Sequence, residues 1–161
     1  MSADDTRDII ARTKVASDNA TPSGNGTMVE VLARLFHITG NPRYRERAEG
    51  IVRLFSGDNV QYLLSVPGLL NGWELMNNAV QVVLVGCDDG DRDAWRRALF
   101  QAPAPARIVT WLDADTALPE GHPAHGKTPH EGRATAYVCV GPTCERPVTD
   151  PGALADRLSR R

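Results

Sequence analysis

The chain has 161 residues, of which 42% are hydrophobic, and a formal net charge of -2. This length suits one domain or two small ones, and the mixed charges leave no basic stripe for nucleic acid. No apolar run approaches the ~18 residues of a membrane span, and the acidic start of the chain, with Asp4 and Asp5, is the opposite of a signal peptide. Three cysteines, an odd number, argue against a secreted disulfide scaffold. We therefore expect a cytoplasmic protein with no nucleic-acid or membrane partner.

The first predicted elements are two helices separated by a polar loop. Residues 5–16 place Ile9 and Ile10 between charges, which predicts a short amphipathic helix. After the loop, Thr27 and Glu30 have the spacing of a capping box, so the second helix is predicted to begin there. Gly40 provides a left-handed stop. The apolar face of this helix follows i, i+3, i+4 spacing and comprises Met28, Val31, Leu32, Leu35 and Phe36.

A third helix is predicted at once, with Asn41 as its N-cap, Pro42 in its first position and Gly57 at its end. A two-residue link between helices is typical of an antiparallel αα-hairpin. The predicted apolar face is Tyr44, Ala48, Ile51, Val52 and Phe55. The following residues 58–77 are apolar nearly all round, and Pro67 must kink or split any helix there.

From residue 80 the hydrophobic period changes to that of strands. Residues 80–85, 108–112 and 136–140 are predicted strands, the first ending at Gly86. Helices are predicted at residues 91–100 and from Pro151 onward, with Asp150 as the N-cap of the second one. Residues 119–133 form a Gly/Pro/His-rich loop that we expect to be mobile. The predicted fold is α+β: antiparallel α-hairpins in residues 1–78, then a small β-α-β-β-α unit in residues 79–161.

Residues 86–91, G-C-D-D-G-D, lie between a strand and a helix, as nucleotide-binding loops do. The segment is not G-x-G-x-x-G and lacks the Walker lysine. Its three carboxylates would repel a pyrophosphate but suit the positive end of a helix. A helix-capping loop is the favoured interpretation.

Two patterns could hold a metal ion. Asp113 and Asp115 after a strand are similar to the D-x-D of metal-dependent glycosyltransferases. Those enzymes need a longer nucleotide-binding sheet, so a solvated turn is favoured.

The second pattern combines the sulfur atoms of Cys139 and Cys144 with the imidazole groups of three nearby histidines, and both kinds of group are ligands for zinc. Its C-x4-C spacing is loose, and its histidines lie in the loop. Reduced thiols are favoured over a zinc site; a disulfide after oxidation is a further alternative, because Gly141 and Pro142 could form the turn. No C-x-x-C is present, so no thioredoxin-type redox centre is expected, and we expect no metal and no cofactor. The residues are Cys139, Cys144, His122, His125 and His130.

The polar loop is the remaining candidate site. Ser23 is not in a G-x-S-x-G motif, and His37 lies among helix residues, so a Ser-His-Asp triad is not expected. Asp18, Asn19, Ser23 and Asn25 are either turn and cap formers or a polar edge that binds a small hydroxylated ligand.

Four stretches resemble YyaL-type thioredoxin-domain proteins. Residues 18–25, D-N-A-T-P-S-G-N, and residues 39–44, T-G-N-P-R-Y, match the family motifs D-x-A-x-P-S-G-N-S and T-G-D-x-x-Y. Residues 81–86, Q-V-V-L-V-G, and the cysteine-containing residues 136–151 are similar to the family's tail. The motifs occur in family order, and the resemblance covers nearly the whole chain. Gly26 departs from the pattern, where Ser is usual, and so removes a hydroxyl from the polar loop.

The resemblance implies an architecture. Family members carry an N-terminal thioredoxin-like domain and then a helical toroid similar to six-hairpin glycosidases and N-acylglucosamine 2-epimerases. This chain resembles only their C-terminal end, so redox activity does not carry over. In related toroids this loop borders the central cavity, which implies a ligand-binding role for Asp18, Asn19, Ser23 and Asn25. The family's reaction is poorly defined, and it identifies no catalytic residue here.

A partial toroid has a physical consequence. Each hairpin in a closed ring is packed on both sides, and about four helices cannot close one. We predict exposed apolar surface along residues 60–76 or 28–36, covered by self-association or by a missing toroid and thioredoxin portion.

These sequence patterns are consistent with three functional hypotheses. The leading hypothesis is a fragment that contributes part of a carbohydrate-like pocket, without a complete catalytic site. The second is a non-enzymatic module that docks a protein through a helix face with Leu70 and Trp73. The third is a metal-dependent enzyme that uses Asp113 and Asp115 or the cysteines.

Overall fold

A computed structural model describes residues 14–56, 63–103 and 106–160. Within these ranges the fold is α+β, with five helices and a mixed four-stranded sheet, in agreement with the predicted class. None of the helices in these ranges is long and apolar enough to cross a membrane. In chain order the elements are α1 (Gly24–Thr39), α2 (Pro42–Phe55), α3 (Pro67–Asn78), β1 (Val80–Val85), α4 (Asp89–Gln101), β2 (Arg107–Leu112), β3 (Thr135–Val140), β4 (Thr143–Cys144) and α5 (Pro151–Ser159).

Helix α1 begins earlier than the sequence predicted. Ser23 is its N-cap, and the Ser23 hydroxyl accepts a hydrogen bond from the Gly26 amide at 3.0 Å. The predicted capping box was therefore wrong, because Glu30 lies beyond the first turn and pairs with Arg34 instead. The helix ends at Gly40, whose φ of 70° is the predicted left-handed stop.

The inward face of α1 also differs from the prediction. Its buried residues are Gly26, Val29, Leu32, Ala33 and His37. Met28 and Val31, which were predicted to face inward, are 42% and 43% exposed. The helix has apolar residues on two sides, and close packing with α3 selects the side that carries the small residues Gly26 and Ala33.

Helix α2 follows its prediction. The Asn41 side chain accepts a hydrogen bond from the Arg43 amide at 3.1 Å, and Pro42 occupies the first turn. Ala48 is buried, and the other four predicted apolar residues pack against the same core. Gly57, the predicted end, and residues 5–13 of the predicted first helix lie outside the described residues. Residues 14–16 are not helical, so that helix does not extend to residue 16.

Pro67 splits the apolar stretch, because α3 begins at this residue. Helices α1 and α3 then cross at glycines. A Cβ atom on Gly72 would lie 2.8 Å from the Glu30 nitrogen, and one on Gly26 would lie 2.9 Å from the Gly68 carbonyl carbon. Gly26 is thus buried in a helix crossing. A serine there would clash with α3, so the difference from the family motif concerns packing as well as loop polarity.

The sheet has the order β2-β1-β3-β4, with β1 parallel to β2 and antiparallel to β3. One face packs against α4 and α5 through a core that includes Trp95 and Leu154. Part of the other face is covered by the 119–133 loop, through Ala124. Ile108 of β2 belongs to the core of the helical residues, so the two parts of the chain share packed side chains.

The loop that was expected to be mobile is attached at several points. His122 Nε2 donates a hydrogen bond to the Ile38 carbonyl oxygen at 2.6 Å, beside the C-terminal end of α1. The Tyr137 hydroxyl of β3 donates to the Thr128 carbonyl oxygen at 2.7 Å. These contacts connect the loop both to α1 and to the sheet.

Candidate functional site

Asp18 holds the polar loop against the start of α3. One carboxylate oxygen accepts a hydrogen bond from the Ser23 amide at 2.7 Å, and the other accepts one from the Gly68 amide. Because both donors favour the charged form, the Ser23 amide first and the Gly68 amide second, the pKa of Asp18 is lowered from its usual value. Asp18 is therefore an ionised link between two segments that are 50 residues apart.

The other three loop residues also make hydrogen bonds within the fold. The Asn19 side-chain oxygen accepts from the Ala20 amide at 2.9 Å, and Asn25 Nδ2 donates to the Val15 carbonyl oxygen at 2.7 Å. Ser23 is buried as the N-cap of α1. The structure thus brings all four candidates together and shows that each makes hydrogen bonds within the fold, and their ligand-binding role stays a prediction.

A groove that the sequence did not predict opens beside the α1–α3 crossing. Its volume is about 290 Å³, and it lies where the helical residues meet the turn before β2. Arg34 donates to Glu30 Oε1 from both Nε and Nη2, at 3.0 and 2.7 Å. Carboxylates can accept hydrogen bonds from a ligand here, and the guanidinium and amide groups can donate them. The lining residues are Glu30, Arg34, Asn71, Glu74, Leu75 and Ala106.

The sequence spacing indicates the two residue pairs that line this groove, but not that they face each other. Glu30 and Arg34 are spaced i, i+4, which predicts an ion pair on one helix. Asn71 and Glu74 are likewise on one face of α3. Which face of α1 meets which face of α3 depends on the glycine crossing, so the two pairs could not be joined from the sequence.

His37 is buried between α1 and α3, with 5% of its surface exposed. Its Nε2 lies 3.0 Å from the Leu75 carbonyl oxygen and 3.2 Å from that of Met76. Its Nδ1 has no partner among the described residues. Burial lowers the pKa of His37, so the neutral ring is favoured with its proton on Nε2. His37 therefore packs between the two helices and donates its Nε2 proton to backbone carbonyl oxygens near the end of α3.

The two acidic candidates have simple structural roles. Asp88 is the N-cap of α4, and its carboxylate accepts from the Asp91 amide at 2.9 Å, which confirms the capping-loop interpretation. Asp113 and Asp115 are exposed beside a turn. Across the described residues, no group of three or more His, Cys, Asp or Glu side chains could hold a metal ion.

Cys139 and Cys144 form a disulfide. Reduced thiols were the favoured prediction, so the alternative of an oxidised pair is the one that the structure shows. The zinc set is not assembled, because both sulfurs are bonded and His125 Nδ1 lies 2.9 Å from the Leu118 carbonyl oxygen. Burial raises the pKa of the remaining thiol, Cys87, to about 11, so it is a poor nucleophile at neutral pH.

Comparison with known proteins adds one relationship. No family model matches the sequence, and no solved structure does. The chain is similar to Spermatogenesis-associated protein 20. It is 25% identical to the human protein over 153 residues, which cover 91% of this chain and 19% of that protein. The rat and mouse proteins are each 24% identical over 158 residues, which cover 94% of this chain and 20% of the relative.

The similarity to Spermatogenesis-associated protein 20 includes both the helical residues and the sheet, because it covers more than nine-tenths of this chain. The chain spans about one fifth of the length of the curated relatives that it matches. The relationship therefore concerns a segment of those proteins.

Proposed function

We propose that this chain is the segment of a thioredoxin-domain protein that forms part of the wall of a helical ring, without a complete catalytic site of its own. The four motifs in family order support this proposal. Weak similarity to Spermatogenesis-associated protein 20, a protein of the same thioredoxin-domain type, supports it along nearly the whole chain.

The observation that carries the proposal is an apolar stripe on the outward side of α1, formed by Met28, Val31, Leu35 and Ile38. Three of these side chains are exposed, and Leu35 is half-buried. Their spacing of three, four and three residues places them on one face of the helix. Exposed apolar stripes on a helix are commonly covered by another element. In a ring of hairpins that element is the neighbouring hairpin.

The same proposal assigns a small hydroxylated ligand to the ring's interior. The loop with Asp18, Asn19, Ser23 and Asn25 is held by hydrogen bonds within the loop and to Val15. A loop fixed in this way loses little entropy when a ligand binds. Its amide and carboxylate groups suit hydroxyl groups as partners. Protection of this loop by added sugars, measured by hydrogen exchange, is the expected result.

The stripe can be tested directly in the purified chain. We expect concentration-dependent association by light scattering and binding of a dye that reports exposed apolar surface. Val31→Glu places a charge in the stripe and should weaken both, whereas Arg47→Glu, at an exposed position on α2, should change neither. A wild-type monomer at high concentration that binds no dye would count against the ring-wall proposal.

The alternative is a non-enzymatic interaction module. Leu70 on α3 is exposed, and Trp73 on the same helix is half-buried, so α3 also offers apolar surface. The DNA sequence upstream of this chain distinguishes the two proposals. Coding sequence for an in-frame thioredoxin-like domain upstream favours the ring, and its absence, together with a partner captured through Leu70 and Trp73, favours the module.

A further inference from the structure

The disulfide joins the interior of the sheet to its edge. Strand β4 is two residues long and lies at the end of the strand order, next to β3. Cys144 stands directly opposite Cys139 in the antiparallel register. Cys139 is 4% exposed, whereas Cys144 is exposed. An incoming thiol can therefore approach the bond from the Cys144 side.

The hairpin has backbone support that does not depend on this bond. The Glu145 amide donates to the Val138 carbonyl oxygen at 2.9 Å. Ala136 and Val148 exchange two backbone hydrogen bonds, at 2.7 and 2.9 Å. Gly141 in the turn has a φ of 55°, which glycine adopts without strain. The pairing of these strands is expected to survive loss of the cross-link.

The bond also constrains little of the unfolded chain. The two cysteines are only five residues apart in sequence, and the stabilisation that a disulfide gives through chain entropy grows with the length of the loop it closes. A cross-link over so short a loop adds less to stability than the long-range disulfides of secreted domains. Both redox forms are therefore compatible with the same fold.

We propose that Cys139 and Cys144 form a reversible dithiol–disulfide site that exchanges with an external dithiol. A thiolate of the reducing dithiol attacks Sγ of Cys144, the Cys139–Cys144 bond breaks, and Cys139 leaves with the electron pair and takes up a proton. The second sulfur of the dithiol then attacks the mixed disulfide, and Cys144 leaves as a thiolate and is protonated. Two electrons and two protons pass to the cysteine pair, and the dithiol becomes a disulfide.

The experiment uses the intact chain and dithiothreitol as the dithiol. The air-oxidised protein is equilibrated at increasing ratios of reduced to oxidised dithiothreitol, free thiols are labelled with a maleimide, and the labels are located by mass spectrometry. Two labels, at Cys139 and Cys144, should appear while the far-UV circular dichroism stays native. Excess oxidised dithiothreitol should remove them. Cys87→Ser should titrate as the wild type does, and the Cys139→Ser/Cys144→Ser double variant should stay folded and gain no label.

Three results would overturn the proposal. The first is free thiols at both positions in the air-oxidised protein. The second is a bond that excess reduced dithiothreitol opens only after denaturant is added. The third is loss of the native spectrum on reduction or in the double variant, because the bond would then be a structural requirement.

Discussion

Replacing Gly72 by alanine tests the α1–α3 crossing on which the helical part of the fold depends. The new Cβ atom would lie 2.8 Å from the Glu30 nitrogen and 2.9 Å from Val29 Cγ1. Because the first neighbour is backbone, it cannot turn away, and the two helices must separate. Overpacking of this kind destabilises a protein by about 1–3 kcal/mol. Alanine returns about 1 kcal/mol through its higher helix propensity, so the expected net loss is about 0–2 kcal/mol.

Gly50→Ala is the matched control, since Gly50 lies in α2 and a Cβ atom there would have no neighbour within 4 Å. This variant should gain about 0.5–1 kcal/mol, because alanine is the better helix former. Urea denaturation followed by circular dichroism measures both changes. For a chain of this size, the melting temperature of Gly72→Ala should fall by up to roughly 8 °C. If Gly72→Ala equals Gly50→Ala in stability, α1 and α3 do not meet at this glycine and the packing argument is wrong.

Substitutions at three further positions test the polar loop and the buried histidine. Asp18→Ala should destabilise the chain by about 1–2 kcal/mol at pH 7, because two backbone amides lose a charged acceptor. Since the pKa of Asp18 is lowered in the folded chain, the stability that its carboxylate contributes is complete above pH ~4 and is lost as the pH falls further. Acid titration of the melting temperature should therefore be shallower in Asp18→Asn, and an unchanged titration would contradict this role. Burial lowers the pKa of His37, so wild-type stability should decline as the pH falls below about 6.5, the ordinary histidine value. The decline should be smaller in His37→Gln. Equal slopes of stability against pH in the two proteins, from pH 7.5 to 5, would refute this role of His37. Ser23→Ala should lose about 1 kcal/mol of stability through removal of the α1 cap, whereas Ser23→Thr, which keeps the hydroxyl, should lose less; equal losses would show that the hydroxyl does not cap the helix.

The sequence predicted local structure well where one residue or one short pattern decides it. Asn41 with Pro42 and Asp150 with Pro151 mark helix starts because a side-chain acceptor and a fixed φ act within one turn. Gly40 marks a helix end for a similarly local reason. Strands β1, β2 and β3 were predicted to within one residue, because β-rich runs between turn residues have few alternatives, whereas the two-residue strand β4 was not predicted.

The candidate site was predicted only in part. The four polar residues of the 18–25 loop do come together, because they are near neighbours in sequence. Their partners were not predictable: the Gly68 amide and the Val15 carbonyl oxygen are supplied by other segments. The groove beside Glu30 was missed for the same reason, since half of it belongs to α3 and part to the turn at Ala106.

The sequence by itself therefore determined most of the helices and strands, the α+β class and the presence of more apolar helix surface than this chain can bury. The tertiary structure alone decided which side of α1 is buried. Two apolar faces compete there, and the periodicity supports both. The glycines at positions 26 and 72 settle the choice, because only a surface without Cβ atoms allows two helix backbones to approach so closely. This close approach leaves the stripe from Met28 to Ile38 facing outward.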